Sequence, residues 1–235
     1  MAVWRGSPDF RAPEVSGRRR VQDMVWRTWQ TATMSFLVLP GFPFPLEYSG
    51  NPPLEAELAG ASLKVAAAAG TDLFIDPAAD GTPPPDAGRL TGLPADRDFT
   101  LTARVSVDFG SVFDAGALLL HVTEHRWAKV CYELSPQRRP TAVAVVTRTT
   151  SDDSHSFATQ GEPLWLRITR KGRAWAFHAS QDSDLWHLLR YFTLGEASGA
   201  RVGFMAQSPK GWGCTAVFDQ IAYRTGSPSD LRDGS

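Results

Sequence analysis

From about residue 44 onward, the chain consists of short apolar or alternating segments separated by turn residues, and this pattern constrains the fold most strongly. The segment Phe99–Val107 alternates with a period of two, which predicts a strand with one buried face and one exposed face. Ala115–Val122 is almost entirely apolar, as is typical of a central strand covered on both faces. Roughly eleven to thirteen such segments, with no long amphipathic helix between them, predict an all-β protein, an antiparallel jelly-roll β-sandwich.

The first 33 residues differ from the rest of the chain. They carry six arginines against three acidic residues, and they show no strand-like alternation. Two interpretations are open: a targeting or docking arm, or a stretch upstream of a true start at Met34, and we favour the second. The expected division is an N-terminal extension over 1–33, a β-sandwich over 34–225, and a polar, disordered tail over 226–235.

Charge and cysteine content narrow the classes of partner. With 24 basic and 25 acidic residues the net charge is −1, which argues against a nucleic-acid partner. No apolar run approaches the ~18–20 residues of a membrane span, so we expect no membrane partner and, by default, a cytoplasmic location.

Two cysteines, Cys131 and Cys214, are too few for a disulfide framework or a zinc site. We interpret Asp72 and Asp76 as turn residues in preference to calcium ligands, and we expect no metal and no cofactor. The oligomeric state is left open.

Several short phrases, taken together, resemble a known family. In chain order they are Thr71–Pro77, Asp114–Leu118, Trp127–Lys129, Tyr132–Glu133, Ser151–Asp152, Trp165–Arg167, Ser180–Trp186 and Gly203–Ala206. Over about residues 44–224 they resemble the bacterial and fungal family of unknown function that is named after a yeast regulator of enolase. The resemblance implies a concanavalin A-like lectin/glucanase sandwich and no particular activity. The family usually has an aromatic residue after the Ser-Asp pair, whereas this chain has Asp153, which puts any ligand contact of that aromatic residue in doubt.

The strand that begins at Trp127 brings polar side chains to one face. With a period of two, Trp127, Lys129, Cys131 and Glu133 share that face. A hairpin would set His121, on the preceding strand, near Lys129 in cross-strand register. Because charged groups are costly to bury in a core, one interpretation is that they form the floor of a ligand groove on a concave sheet. The alternative is a solvated Lys129–Glu133 ladder on an outer face, with Trp127 packed in the core.

Further polar residues are expected around this groove. Arg148 and Arg167 extend it from adjacent strands, and Gln207 contributes from its rim. Asp152 lies in a predicted loop, where paired aspartates usually serve turn chemistry. The predicted ligand-binding residues are therefore Trp127, Lys129, Glu133, His121, Arg148, Asp152, Arg167 and Gln207.

Three hypotheses about function follow. The first is a lectin-like protein that binds a carbohydrate or small polar metabolite without hydrolysing it. The second is a lyase, isomerase or cyclase in which Glu133 is the general base and Lys129 or His121 stabilises negative charge. The third is a protein-interaction or regulatory module. Glycoside hydrolysis is disfavoured because the Glu-x-Asp-x-x-Glu strand motif of sandwich glucanases is absent: Ser135 stands two residues after Glu133.

Overall fold

A computed structural model describes residues 36–79, 86–196 and 198–234, so the extension predicted over 1–33 lies outside the described residues. The described residues form fifteen strands and no helix. The strands are β1 (Phe36–Leu37), β2 (Leu46–Ser49), β3 (Glu55–Ala59), β4 (Ser62–Ala68), β5 (Arg89–Gly92), β6 (Phe99–Val107), β7 (Ala115–Thr123), β8 (Arg126–Leu134), β9 (Pro140–Arg148), β10 (Thr150–Ala158), β11 (Leu164–Lys171), β12 (Ala174–Ser180), β13 (His187–Phe192), β14 (Arg201–Gln207) and β15 (Gly213–Thr225). The described part of the chain accordingly holds no helix suited to crossing a membrane.

The strands form two antiparallel sheets that pack face to face. One sheet has eight strands in the order β1-β2-β5-β14-β7-β8-β9-β10, and the other has seven in the order β13-β12-β11-β6-β15-β4-β3. Neighbours such as β14 and β7 are far apart in the chain, so long connections build both sheets. This arrangement confirms the predicted antiparallel jelly-roll sandwich.

The main core lies between the two sheets. On β6, the period-two pattern places Leu101, Ala103 and Val105 in this core, as predicted. On β8, the residues Ala128 and Val130 face the same core from the opposite sheet. Because β8 directs every second residue inward, the intervening positions lie on the outer face of the eight-stranded sheet.

A second, smaller apolar cluster covers the middle of that outer face. Trp127, Cys131, Val143 and Val145 from β8 and β9 pack there against Leu73, which lies outside the sheet. The central strands are thus buried on both faces, which explains the nearly continuous apolar sequence of β7. Cys131 and Cys214 are both buried free thiols.

Residues 71–76, here called the strap, cross the outer face of the eight-stranded sheet. Beyond one isolated bridge between Thr71 and Ser208, this stretch belongs to none of the fifteen strands. At its other end, the Ile75 amide donates to Ser151 Oγ (2.8 Å), and the Ser151 amide donates to the Ile75 carbonyl (2.8 Å). The strap is therefore fastened to the end of β14 and to β10, with Leu73 packed between these attachments.

The C-terminal residues lie against the outer face of the seven-stranded sheet. The side chain of Leu231 is buried, and its carbonyl lies 2.8 Å from Nε2 of His178 on β12. Arg167 on β11 donates from Nη1 to the Gly234 carbonyl (2.7 Å). The polar composition of this segment predicted a disordered tail. Composition does not reveal these contacts, because they are made by main-chain carbonyl groups.

Candidate functional site

A cavity of about 430 Å³ opens on the outer face of the eight-stranded sheet, on one side of the strap. We call it the Lys129 pocket. It is lined by Asp72, Phe74, Asp76, Phe113, Lys129, Glu133, Val143, Val145, Asp153, His155, Gln207, Pro209 and Lys210. The lining combines charged groups with apolar side chains, as ligand sites in proteins commonly do.

The register of three strands sets the floor of the pocket. Lys129 on β8 is directly opposite Val145 on β9, and Val145 is directly opposite Asp153 on β10. In antiparallel strands, residues that pair across the ladder point to the same face. These three side chains therefore form one row, with Glu133 four residues further along β8.

Lys129 is the centre of the hydrogen bonding. Its side chain is 1% exposed, its Nζ donates to Gln207 Oε1 (2.5 Å), and it lies 3.8 Å from Asp72 Oδ1. Gln207 Nε2 in turn donates to the carbonyl of Phe113 (3.2 Å), which fixes the orientation of the amide. An ammonium group carries three donors, and within the described residues the one hydrogen bond of Nζ is that to Gln207. Donor capacity therefore remains for a ligand.

Glu133 is 6% exposed, and burial raises the pKa of its carboxyl group to about 7. The positive charge of Lys129 acts in the opposite direction, whereas the negative charges of Asp72 and Asp153 raise the pKa further. No described residue donates a hydrogen bond to this carboxyl group. Glu133 can therefore accept a hydrogen bond or a proton from a molecule in the pocket near neutral pH.

The strap supplies a second carboxylate. Burial raises the pKa of Asp72, while Lys129 lowers it, and the amide of Leu73 donates to Asp72 Oδ1 (2.7 Å). The interpretation of Asp72 as a local turn residue was therefore incomplete, because its carboxylate also faces the ammonium of Lys129. The strap crosses the sheet by long-range contacts, and no local sequence pattern reveals where its side chains meet β8.

His121 and Trp127 lie in a neighbouring cavity of about 240 Å³, on the other side of the strap. His121 pairs with Trp127, and Lys129 pairs with Leu119, so His121 is a diagonal neighbour of Lys129 and not its direct partner. Burial, followed by the charge of Arg89, lowers the pKa of His121 to about 4, so its imidazole is neutral at pH 7. Trp127 Nε1 and His121 Nε2 are buried without a hydrogen-bond partner in the described residues.

Three other predicted residues do not reach the Lys129 pocket. Asp152 is on strand β10 and not in a loop; it pairs with Val146, whose side chain faces the core between the sheets, and it binds Arg190 at 2.5 Å. Arg148 likewise lies on the opposite face from Lys129 and donates to the Thr193 carbonyl (2.7 Å). Arg167 is in the other sheet altogether.

Asp153, which is one residue further along, occupies the position in the pocket that was assigned to Asp152. Its Oδ2 lies 3.4 Å from Nε2 of His155, and both residues line the pocket. Within the described residues, no cluster of three or more histidine, cysteine or acidic side chains is arranged to hold a metal ion.

The rim of the pocket is held by a buried carboxylate. Asp114 is fully buried, accepts hydrogen bonds from the amides of Gly110 (2.9 Å) and Ser111 (2.7 Å), and accepts another from Ser208 Oγ (2.6 Å). The adjacent Phe113 has a φ of 69°, a left-handed conformation that is uncommon for an aromatic residue. Strained backbone often marks functional positions, and Phe113 lines the pocket here.

Replacing Glu133 with glutamine is expected to stabilise the protein at alkaline pH but not at acidic pH. The pKa of Glu133 is higher in the folded state (about 7) than the ordinary value of 4.5, so the folded state holds the proton more tightly. As the pH rises through this window, the free energy of unfolding of the wild type should therefore fall relative to that of Glu133→Gln, by about 2–3 kcal/mol in total. Urea denaturation of both proteins between about pH 5 and pH 8 measures this difference.

The matched control for this experiment is Glu55→Gln, because Glu55 is exposed on β3. Its difference from the wild type should not change over the same pH range. A Glu133→Gln difference that is equally constant would show that Glu133 ionises as freely as a surface carboxyl group.

Comparison with known proteins gives the fold and a family. A family model described as "Protein of unknown function (DUF1349)" matches residues 50–226. The curated protein "Regulation of enolase protein 1" of Saccharomyces cerevisiae is 25% identical over 136 residues, which cover 57% of this chain and 68% of the yeast protein.

Solved structures support the same assignment of fold. A functionally unknown protein from Saccharomyces cerevisiae superposes with a TM-score of 0.69 at 20% identity, covering 78% of this chain and 97% of that chain. The GH43 protein BlXynB from Bacillus licheniformis gives a TM-score of 0.62 at 14% identity, covering 77% of this chain and 36% of that chain. At these identities the similarity extends to the sandwich fold and not to an activity.

Proposed function

The chain belongs to the family described as "Protein of unknown function (DUF1349)", and, because membership assigns no activity, we propose from the pocket itself that it binds an uncharged, hydroxyl-rich small molecule such as a carbohydrate without hydrolysing it. The observation that carries this proposal is the juxtaposition of Lys129 and Glu133. Both are almost fully buried, both line one cavity, and both retain hydrogen-bonding capacity. Buried charged groups are costly unless they are hydrogen-bonded, and a ligand hydroxyl can accept from the ammonium and donate to the carboxylate.

The charge of the pocket favours an uncharged ligand over an anion. Four carboxyl groups line it, whereas the basic lining residues are two lysines and one histidine. They are Asp72, Asp76, Glu133 and Asp153 against Lys129, Lys210 and His155. A ligand carboxylate or phosphate would be repelled by this excess of carboxyl groups. A neutral hydroxyl group, in contrast, can donate to the carboxylates and accept from the lysines.

The apolar part of the lining supports a ring-shaped ligand. Val143 and Val145 form part of the floor, and Phe74 and Phe113 also line the pocket. The C–H faces of a sugar ring can pack on such surfaces while its hydroxyl groups reach Lys129 and Glu133. The absence of the glucanase strand motif around Glu133 argues for binding over hydrolysis.

The pKa of Glu133 favours a second candidate function. A carboxyl group with a pKa of about 7 suits a general base at neutral pH, and Lys129 would stabilise the negative charge that develops on the substrate. This is the lyase, isomerase or cyclase hypothesis with His121 removed, because His121 lines a different cavity. The regulatory hypothesis rests on the yeast relative's name, and no feature of the pocket favours it.

A thermal-shift screen of the full chain tests both candidates. The panel contains neutral mono- and oligosaccharides, sugar acids and polyamines, and a ligand at 100 times its Kd adds about 2.7 kcal/mol of stability. We expect a shift with a neutral saccharide that weakens at least about tenfold in Glu133→Gln and persists in Glu55→Gln. Proton NMR of the same mixture shows whether the saccharide is consumed; consumption by the wild type and not by Glu133→Gln would support the enzyme. A shift with sugar acids alone, or with no compound, contradicts the proposal.

A further inference from the structure

A second cavity, of about 720 Å³, lies on the outer face of the seven-stranded sheet, and we call it the Arg167 cavity. Its floor is set by the strand register. Thr102 on β6 lies between Ala222 on β15 and Arg167 on β11, and in the next row Thr100 is paired with Arg224. Small side chains thus occupy the middle of this face, with an arginine on either side of them.

Among the residues that the structure describes, neither arginine has its guanidinium group paired with a carboxylate. The guanidinium carbon of Arg167 is 3.5 Å from the ring centroid of Trp186, and its Nη1 donates to the Gly234 carbonyl, while its Nε is buried with no hydrogen-bond partner in the described part of the chain. Arg224 is exposed and forms no hydrogen bond or ion pair within the described residues. Burial, followed by the charge of Arg224, lowers the pKa of Arg167 to about 10. The two cations are therefore close enough to repel each other.

The acidic residue of this cavity is already neutralised. Among the described lining residues, Asp219 is the one carboxylate, and both of its oxygens accept from Arg104, at 2.7 and 2.8 Å. The charge that no described lining residue offsets is therefore positive, in contrast to the acidic Lys129 pocket on the opposite sheet.

We propose that the Arg167 cavity binds a small molecule through an oxyanion group, a phosphate, sulfate or carboxylate, held between Arg167 and Arg224 above Thr102. The strands β11 and β15 are separated by β6, and Arg167 and Arg224 pair with β6 residues two positions apart, so their backbones lie roughly 12 Å apart, a span that two long side chains close around one oxyanion. Guanidinium groups donate paired hydrogen bonds to such oxygens, and the Thr102 hydroxyl supplies a further donor from the floor. The rings of Trp165 and Trp186 line the same cavity and offer surface to the remainder of the molecule.

Arg224→Gln is the informative variant, because exposed Arg224 makes no hydrogen bond to any described residue and its loss should leave the fold intact. Arg139→Gln is the matched control, since it removes the same charge from an exposed turn between β8 and β9. Calorimetric titration of the full-length proteins with inorganic phosphate, sulfate and citrate, at constant ionic strength, measures the affinity of each.

We expect saturable binding of at least one anion by the wild type, weakened about tenfold or more in Arg224→Gln and unchanged in Arg139→Gln. Glu133→Gln should bind the anion like the wild type, because the Lys129 pocket is on the other sheet. Three results would overturn the proposal: no saturable binding of any of the three anions, equal affinity in Arg224→Gln, or an equal loss in Arg139→Gln, which would indicate a general effect of net charge.

Discussion

Replacing Asp114 with alanine is expected to lower the free energy of unfolding by about 3–5 kcal/mol, because three hydrogen bonds to a buried carboxylate are lost. The amides of Gly110 and Ser111 and the hydroxyl of Ser208 would be left without their acceptor. These bonds join the turn before β7 to the segment after β14, so the rim of the Lys129 pocket should loosen with the fold. The midpoint and slope of urea denaturation at neutral pH measure the loss.

Asp114→Asn is the matched variant for this prediction. Its amide oxygen can accept from both backbone amides, and its NH₂ group can donate to Ser208 Oγ if the hydroxyl reverses its role. We therefore expect a loss smaller than half of that caused by alanine. If Asp114→Ala cost less than about 1 kcal/mol, the rim would not be held by this carboxylate.

Replacing Lys129 with methionine is expected to destabilise the protein by about 3–5 kcal/mol at pH 8, because Asp72 and Glu133 lose the cation that faces them. The loss should be much smaller near pH 5. Lys129 lowers the pKa of Glu133, so its removal raises that pKa further and keeps the carboxyl group protonated over a wider range. Stability of Lys129→Met should therefore rise as the pH falls, as urea denaturation at several pH values would show.

The double variant Lys129→Met/Glu133→Gln separates charge from packing. Removing both charges should restore most of the stability lost at pH 8, because no carboxylate at position 133 is then left buried without its cation. A double variant as unstable as Lys129→Met at pH 8 would show that Lys129 acts through its packing and its bond to Gln207.

Local sequence patterns predicted the strands and their faces, because strand periodicity depends only on neighbouring residues. The alternation of Phe99–Val107 and the shared face of Trp127, Lys129 and Glu133 are both confirmed. The register between neighbouring strands is harder to predict from the sequence. A bulge at the end of β7 sets the pairing of β7 with β8, and it places His121 opposite Trp127.

Other errors arose where position depends on distant parts of the chain. Asp152 and Asp153 differ by one residue, and in a strand that difference reverses the face. Arg167 was placed beside Lys129, but β11 pairs with β6 in the second sheet. The path of the strap, which brings Asp72 to Lys129, is fixed by contacts with β10 and β14 that no short sequence pattern encodes.

Methyl NMR tests most directly whether a saccharide binds in the Lys129 pocket. Val143 and Val145 line that pocket, whereas Ile221 lines the Arg167 cavity and serves as the internal control. During titration of the full chain with the neutral saccharides of the thermal-shift panel, the methyl signals of Val143 and Val145 should shift and saturate while those of Ile221 stay fixed. Signals of Val143 and Val145 that none of these saccharides moves, or a shift confined to Ile221, would contradict the claim.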